Sequence, residues 1–271
     1  MGYIGRKLRQ RRLLYSGSNV GLIVPIDHGL TVGPISGLQN MRDISRWIGD
    51  DNISAVIAHK GMLERLVTQN LLHSSTGVIL HLNGMPSMSK EADTKQMVTH
   101  VDAALRLGAD AVSVQVNFTA NNYGHNLSLL GAVTDATHAA GLPLLTMLYD
   151  KVETTSSIEK IDRMHKLIRL VTEFGADSIK IGFPESMDLL GELISSHRDS
   201  IQIFFAGGEK MDEKRLQDWT LAAMQRGANG LCIGRNVFQH PEPSSILRAL
   251  SEHIRQEHVR QVAPQPITMA A

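Results

Sequence analysis

The chain has 271 residues, and its 27 Lys+Arg balance 27 Asp+Glu, so the formal charge is zero with neutral histidines. That balance argues against nucleic-acid or anionic-membrane binding, both of which need a basic excess to displace counterions. A 42% hydrophobic fraction with 23 glycines fits a folded globular chain, and no apolar run approaches the roughly 20 residues that cross a bilayer.

Residues 1–20 read as a short helical extension carrying Arg6, Lys7, Arg9, Arg11 and Arg12, with no apolar core of signal-peptide length. It suits a cover for the floor of the following domain, a subunit contact or a solvated arm. Eight Val/Ile/Leu-rich runs follow in chain order: 21–27 (GLIVPID), 55–59 (AVIAH), 77–83 (GVILHLN), 111–117 (AVSVQVN), 143–149 (PLLTMLY), 178–182 (SIKIG), 201–206 (IQIFFA) and 230–234 (GLCIG). Near-continuous apolar runs of this kind are strands covered on both faces. Their ends recur every 24 to 34 residues, the length of a βα unit.

Between the fifth and sixth runs, Ile158, Ile161, Met164, His165, Ile168 and Val171 repeat at helical spacing, and Gly175 stops that helix. Three helices close on one connector: Gly108-Ala109-Asp110, Gly175-Ala176-Asp177 and Gly227-Ala228-Asn229. The pattern predicts a single (β/α)8 TIM barrel over 21–257, preceded by the extension 1–20 and followed by a loose tail, 258–271. The lone Cys232 excludes an internal disulfide and a Cys-rich zinc site, and it predicts a cytoplasmic protein.

Barrels of this kind carry their chemistry at the carboxyl ends of the strands. Lys180 lies on the face opposite Ile179 and Ile181, so it should point to the barrel axis. Burial there is expected to lower its pKa and leave free amine, which attacks carbonyls and forms a Schiff base. The plainer alternative is a lysine that pairs with a carboxylate such as Asp27. Tyr149 and Asp27, at the ends of the fifth and first runs, are candidates for the proton transfers that imine chemistry needs. Gly207, Gly208 and Gly234 with Arg235, in the last two loops, form a candidate phosphate cradle. His28, His59 and Lys60 are candidate substrate contacts. A metal-dependent barrel using Asp27, His28, His59 and His81 is a rival, as is a sugar-phosphate-binding barrel without catalysis.

The run Ile23-Val24-Pro25-Ile26-Asp27-His28-Gly29 with Gly33-Pro34, then Ala206-Gly207-Gly208 and Gly234-Arg235-Asn236-Val237-Phe238-Gln239, resembles the archaeal-type class I fructose-bisphosphate aldolase family. The similarity runs from about residue 3 to about residue 256. His59-Lys60-Gly61, His81-Leu82-Asn83-Gly84 and Asp110-Ala111-Val112-Ser113 lie nearer the 2-amino-3,7-dideoxy-D-threo-hept-6-ulosonate synthase branch. The resemblance implies Lys180 as Schiff-base lysine, Tyr149 as acid/base and Asp27 as a second proton handler. It also implies phosphate on the two glycine loops and Arg235, no metal or other cofactor, and a homo-oligomer. The partners implied are a phosphorylated ketose donor and an aldehyde, aspartate semialdehyde in that branch, with fructose-bisphosphate cleavage as the alternative. Two departures stand out. Asp150-Lys151-Val152 replaces the family's Pro-Arg-Gly after the tyrosine, and Ile181-Gly182-Phe183 follows the lysine where a hydroxyl residue and an aromatic are common.

Overall fold

In the computed structural model, which describes residues 2–262 except Thr155, alternate residues of each apolar run belong to two different cores. The strands are β1 (Gly21–Pro25), β2 (Ala55–Ala58), β3 (Gly77–His81), β4 (Asn83–Gly84), β5 (Gln96–Met97), β6 (Ala111–Phe118), β7 (Leu144–Asp150), β8 (Ser178–Gly182), β9 (Gln202–Ala206) and β10 (Gly230–Cys232). Eight of them close an all-parallel barrel in the order β1-β2-β3-β6-β7-β8-β9-β10, while β4 and β5 form a small antiparallel excursion beside it. All eight runs expected from the sequence are barrel strands. Leu22, Val24, Val112, Val114, Ile179, Ile181, Ile203 and Phe205 pack outward under the helices. Ile23, Ala55, Ile57, Ile79, Leu145, Met147, Phe204 and Cys232 fill the axis.

The helices are α1 (Gly2–Arg12), α2 (His28–Val32), α3 (Met41–Ser45), α4 (Lys60–Thr68), α5 (Val101–Arg106), α6 (Tyr123–Ala140), α7 (Ser157–Phe174), α8 (Met187–His197), α9 (Glu213–Gln225), α10 (Arg235–Phe238) and α11 (Pro243–Val262). The stripe on α7 buries Ile161, Ile168 and Val171, but Ile158 is 77% exposed and His165 turns outward to His197 and Glu192. The last helix corrects the boundary at 257. Ile246, Leu247, Leu250 and Ile254 are buried at helical spacing, and the helix runs on to Val262. The rest of the expected tail, 263–271, lies outside the described residues.

The recurring connectors clamp the barrel floor. Gly108, Gly175 and Gly227 take the left-handed φ of 71°, 93° and 96° that glycine tolerates. The residue two places on then accepts an amide from the start of a neighbouring strand: Asp110 from Val78, Asp177 from Leu144 and Asn229 from Ile203. The basic helix α1 closes this end. Arg6 binds Asp177 at 2.8 Å and the Gly175 carbonyl at 2.7 Å, Arg9 the Gly141 carbonyl at 2.8 Å, and Arg12 Asp110 at 3.1 Å. Helix C-termini carry negative partial charge, so the arginines face the acids and carbonyls of the floor. Leu13 and Leu14 then plug the axial core. The segment thus covers the floor of the barrel.

Candidate active site

At the opposite end, the carboxyl ends of the strands, the axial residues turn polar. The inward set ends in Asp27 after β1, His81 on β3, Gln115 on β6, Met147 and Tyr149 on β7, and Lys180 on β8. A cavity of about 580 Å³ opens above them, lined by Asp27, His28, Gln115, Met147, Tyr149, Lys151, Lys180, Lys210 and Arg235, among others. The whole lining carries four cations, Lys151, Lys180, Lys210 and Arg235, against two carboxylates, Asp27 and Glu209, a net positive field suited to a phosphorylated ligand.

Lys180 does point inward, between Ile179 and Ile181 of the outer core, and is 6% exposed. Its Nζ has a 3.9 Å contact to the Met147 thioether, and among the described residues no carboxylate lies within ion-pair distance of it. The carboxylate-locked lysine is therefore not what the fold contains. Its protonation differs from expectation. Burial opposes the ammonium, yet the lysine is held above its ordinary range, at neutral pH by the Asp27 carboxylate and a hydrogen bond to Tyr149, the Cys232 thiol being uncharged. The expected lowering of its pKa is thus corrected: the resting group is an ammonium and must shed a proton before it attacks a carbonyl. Cys232, beneath it in the axial core, is a neutral thiol that burial pushes up to about 11.

Asp27 sits at the position before α2 but makes no capping hydrogen bond, so its carboxylate stays free for the site. Burial works to raise its pKa, yet His81, His28, Lys180 and His59 together bring it down to about 2. His81 Nε2 and His28 Nδ1 each lie 3.6 Å from a carboxylate oxygen. Burial holds His81 at about 4 despite the Asp27 charge, and its Nδ1 meets the Ser113 hydroxyl at 2.8 Å. His28 and His59 are also lowered, chiefly by burial. At neutral pH the carboxylate is thus ringed by uncharged imidazoles. His59 packs against His81, with ring centroids 5.1 Å apart and planes tilted by 59°, rather than lining the cavity. Among the described residues no group of three or more His, Cys, Asp or Glu is arranged to hold a metal ion.

The expected cradle is only partly open. A Cβ on Gly207 would lie 2.4 Å from the Asn236 amide, and one on Gly234 would strike His28, Phe238 and the Pro25 carbonyl. Those two glycines serve close packing, while Gly208, with φ of 64°, faces open space. Arg235 reaches the cavity and meets Glu209 at 3.6 Å; Glu209 is so exposed that a ligand can displace it. Lys60 is exposed at the start of α4 and does not line the cavity, so it is not brought into this constellation. Asn236, which sequence reasoning left without a role, ties the β9 loop together: Oδ1 accepts from the Met211 amide at 2.8 Å, and Nδ2 donates to the Gly207 and Glu209 carbonyls.

The departures from the family pattern also have places. Arg163 on α7 grips Asp150 through two hydrogen bonds of 2.6 and 2.8 Å, which turns Asp150 out of the site. Lys151, where the resemblance expects arginine, lines the cavity with its Nζ 5.9 Å from the Tyr149 ring centroid. Phe183 stacks on Phe205 and against Trp219 in the outer layer, so it leaves the mouth free.

A family model described as DeoC/LacD family aldolase matches residues 21–240, from the first barrel strand to beyond the Arg235 loop. The chain belongs to the DeoC/LacD aldolase family. This aldolase is 28% identical over 267 residues to the 2-amino-4,5-dihydroxy-6-oxo-7-(phosphonooxy)heptanoate synthase of Streptomyces griseus, covering 98% of this chain and 96% of that one. It is 31% identical over 251 residues to 2-amino-3,7-dideoxy-D-threo-hept-6-ulosonate synthase 1 of Archaeoglobus fulgidus, with 91% and 90% covered. The crystal structure of an archaeal fructose 1,6-bisphosphate aldolase shares its fold at a TM-score of 0.81 and 21% identity, covering 93% of this chain and 99% of that one. The resemblance read from the strand-end motifs is borne out: the aldolase is an enzyme of this family, with relatives in the heptulosonate branch. Among the described residues no helix is long and apolar enough to cross a membrane.

Proposed function

We propose that the enzyme joins dihydroxyacetone phosphate to an aldehyde through an imine on Lys180. The observation that carries this is an inward lysine, 6% exposed, at the base of a cationic cavity with no carboxylate locked onto it and with Tyr149 and Asp27 beside it. The product named for the Streptomyces relative supports the choice of substrates. A seven-carbon chain with a 6-oxo group, a 7-phosphonooxy group and a 4-hydroxyl divides between C4 and C5 into dihydroxyacetone phosphate and aspartate semialdehyde.

In this reading Lys180 first gives up its proton to solvent in the open cavity, attacks the donor ketone and expels water to form an iminium. Loss of a proton from the donor's hydroxymethyl carbon yields an enamine, which adds to the aldehyde carbon; hydrolysis then frees the lysine. Tyr149 carries protons to and from the carbinolamine and the new alkoxide. Asp27, ionised at neutral pH, is the second proton handler and takes the proton from the donor's hydroxymethyl carbon. Its negative charge also stabilises the iminium. Gly208 and Arg235 hold the donor phosphate, with Gly207, Gly234 and Asn236 shaping the loops beneath it. His28 lies at the cavity wall beside Asp27, while His59 acts through His81.

The test is intact-mass measurement after borohydride reduction in the presence of dihydroxyacetone phosphate, with fructose 1,6-bisphosphate as a second arm. The wild type is expected to gain one reduced donor adduct, and Lys180→Met to gain none while keeping its fold by circular dichroism. An adduct that persists in Lys180→Met, or a wild type that forms none with either sugar phosphate, rejects the reading.

A further inference from the structure

Strand β6 carries into the cavity a residue for which the steps above have no use. The register runs Gln115, Met147, Lys180 across β6, β7 and β8, so Gln115 and Lys180 stand at one level of the barrel, and both line the cavity. With strands about 4.8 Å apart, their Cα atoms are separated by about 10 Å, a gap that a short bound aldehyde can bridge.

A chain of hydrogen bonds fixes which way the Gln115 amide faces. The Asp93 carboxylate only accepts, so Asn117 donates to it through Nδ2 at 2.7 Å. Asn117 Oδ1 must then accept, and Gln115 donates to it through Nε2 at 2.8 Å. This leaves Gln115 Oε1 as the outward end of the relay, and among the described residues no donor engages it. The charge on Asp93 polarises both amides in the same sense and makes that oxygen a stronger acceptor. Lys151, two residues beyond Tyr149, supplies a cation to the same cavity.

We infer that Gln115 and Lys151 form the acceptor subsite, Gln115 Oε1 taking the α-ammonium of an amino-acid aldehyde and Lys151 its carboxylate. This rests on the Schiff-base reading and deepens it by naming the groups that select the acceptor. Asp93 lies on the segment between β4 and β5 and acts through Asn117; it is a positioning residue.

The experiment compares aspartate 4-semialdehyde with succinate semialdehyde, which lacks only the amino group, at saturating dihydroxyacetone phosphate. The wild type is expected to favour the amino aldehyde in kcat/KM. Gln115→Met, of similar length and without the acceptor, should lower kcat/KM for aspartate semialdehyde about 10- to 100-fold, mainly through KM, and change that for succinate semialdehyde far less. Asp93→Asn should shift the same ratio in the same direction by a smaller factor. Equal losses for both aldehydes in Gln115→Met, or a wild type indifferent to the amino group, overturn the assignment. Borohydride trapping of the donor on the same samples separates the two failures, because its absence in the wild type defeats the imine reading itself.

Discussion

Lowering the pH should destabilise this protein through His81, and the size of the effect follows from where the ring sits. His81 is 2% exposed, hydrogen-bonded to Ser113 and 3.6 Å from Asp27, and burial holds it at about 4 against an ordinary 6.5. A histidine whose folded pKa lies below its unfolded value binds a proton more readily when unfolded, so stability falls as pH drops from about 6.5 towards 4. At 1.36 kcal/mol per unit the full difference is about 3 kcal/mol, of which about 2 kcal/mol is lost between pH 7.5 and 5. Asp27 adds a second loss at lower pH: its stabilising contribution is complete above 3.8 and disappears as pH falls through about 2. Urea denaturation at pH 7.5, 6.5, 5.5 and 5.0 would compare wild type with His81→Gln, which keeps a polar partner for Ser113 but cannot titrate. Loss of the imidazole's packing shifts the variant's stability equally at every pH, so the titration appears only in the slope with pH. Its profile should be flatter by about 2 kcal/mol over this range. Parallel profiles would show that His81 titrates normally and that burial is not what keeps the ring around Asp27 neutral.

Two further substitutions separate the ends of the barrel. Arg6→Ala removes a 17%-exposed guanidinium from Asp177 and the Gly175 carbonyl, so it should cost about 2 kcal/mol and several degrees of Tm while kcat/KM stays unchanged. Thermal melting and steady-state kinetics check it, and a fall in turnover at unchanged Tm would contradict a purely structural floor. Asn236→Ala leaves the Met211 amide and the Gly207 and Glu209 carbonyls without their partner, so the donor's KM should rise about tenfold as the β9 loop loosens. An unchanged donor KM would mean that this loop does not hold the phosphate.

Much of the site lies on single strands, and that part was readable. The inward direction of Lys180 follows from its flanking isoleucines, because side chains alternate along a strand whatever its neighbours are. The connectors at Gly108, Gly175 and Gly227 announce themselves as helix ends for the same local reason. Gln115 carried the same alternation signal within AVSVQVN, yet the orientation of its amide depends on Asp93, 24 residues earlier than Asn117 and on a different segment. Asn236 stood in the motif but received no role, since its three loop contacts reach back 25 to 29 residues. A motif gives no direction to a side chain at the start of a helix, and Lys60 stands outside the cavity.

Alternation, glycine stops and strand-end polarity are properties of neighbouring residues, so the order of residues along the chain already contained the barrel, its repeat and the lysine at its mouth. Charge state is a sum over groups that converge from separate strands. Only the closed barrel brings Cys232, Tyr149 and Asp27 around Lys180, turns Asp150 towards Arg163 and leaves Lys151 in the cavity. Those fields act through space over a few ångströms, a distance that positions in the chain do not record.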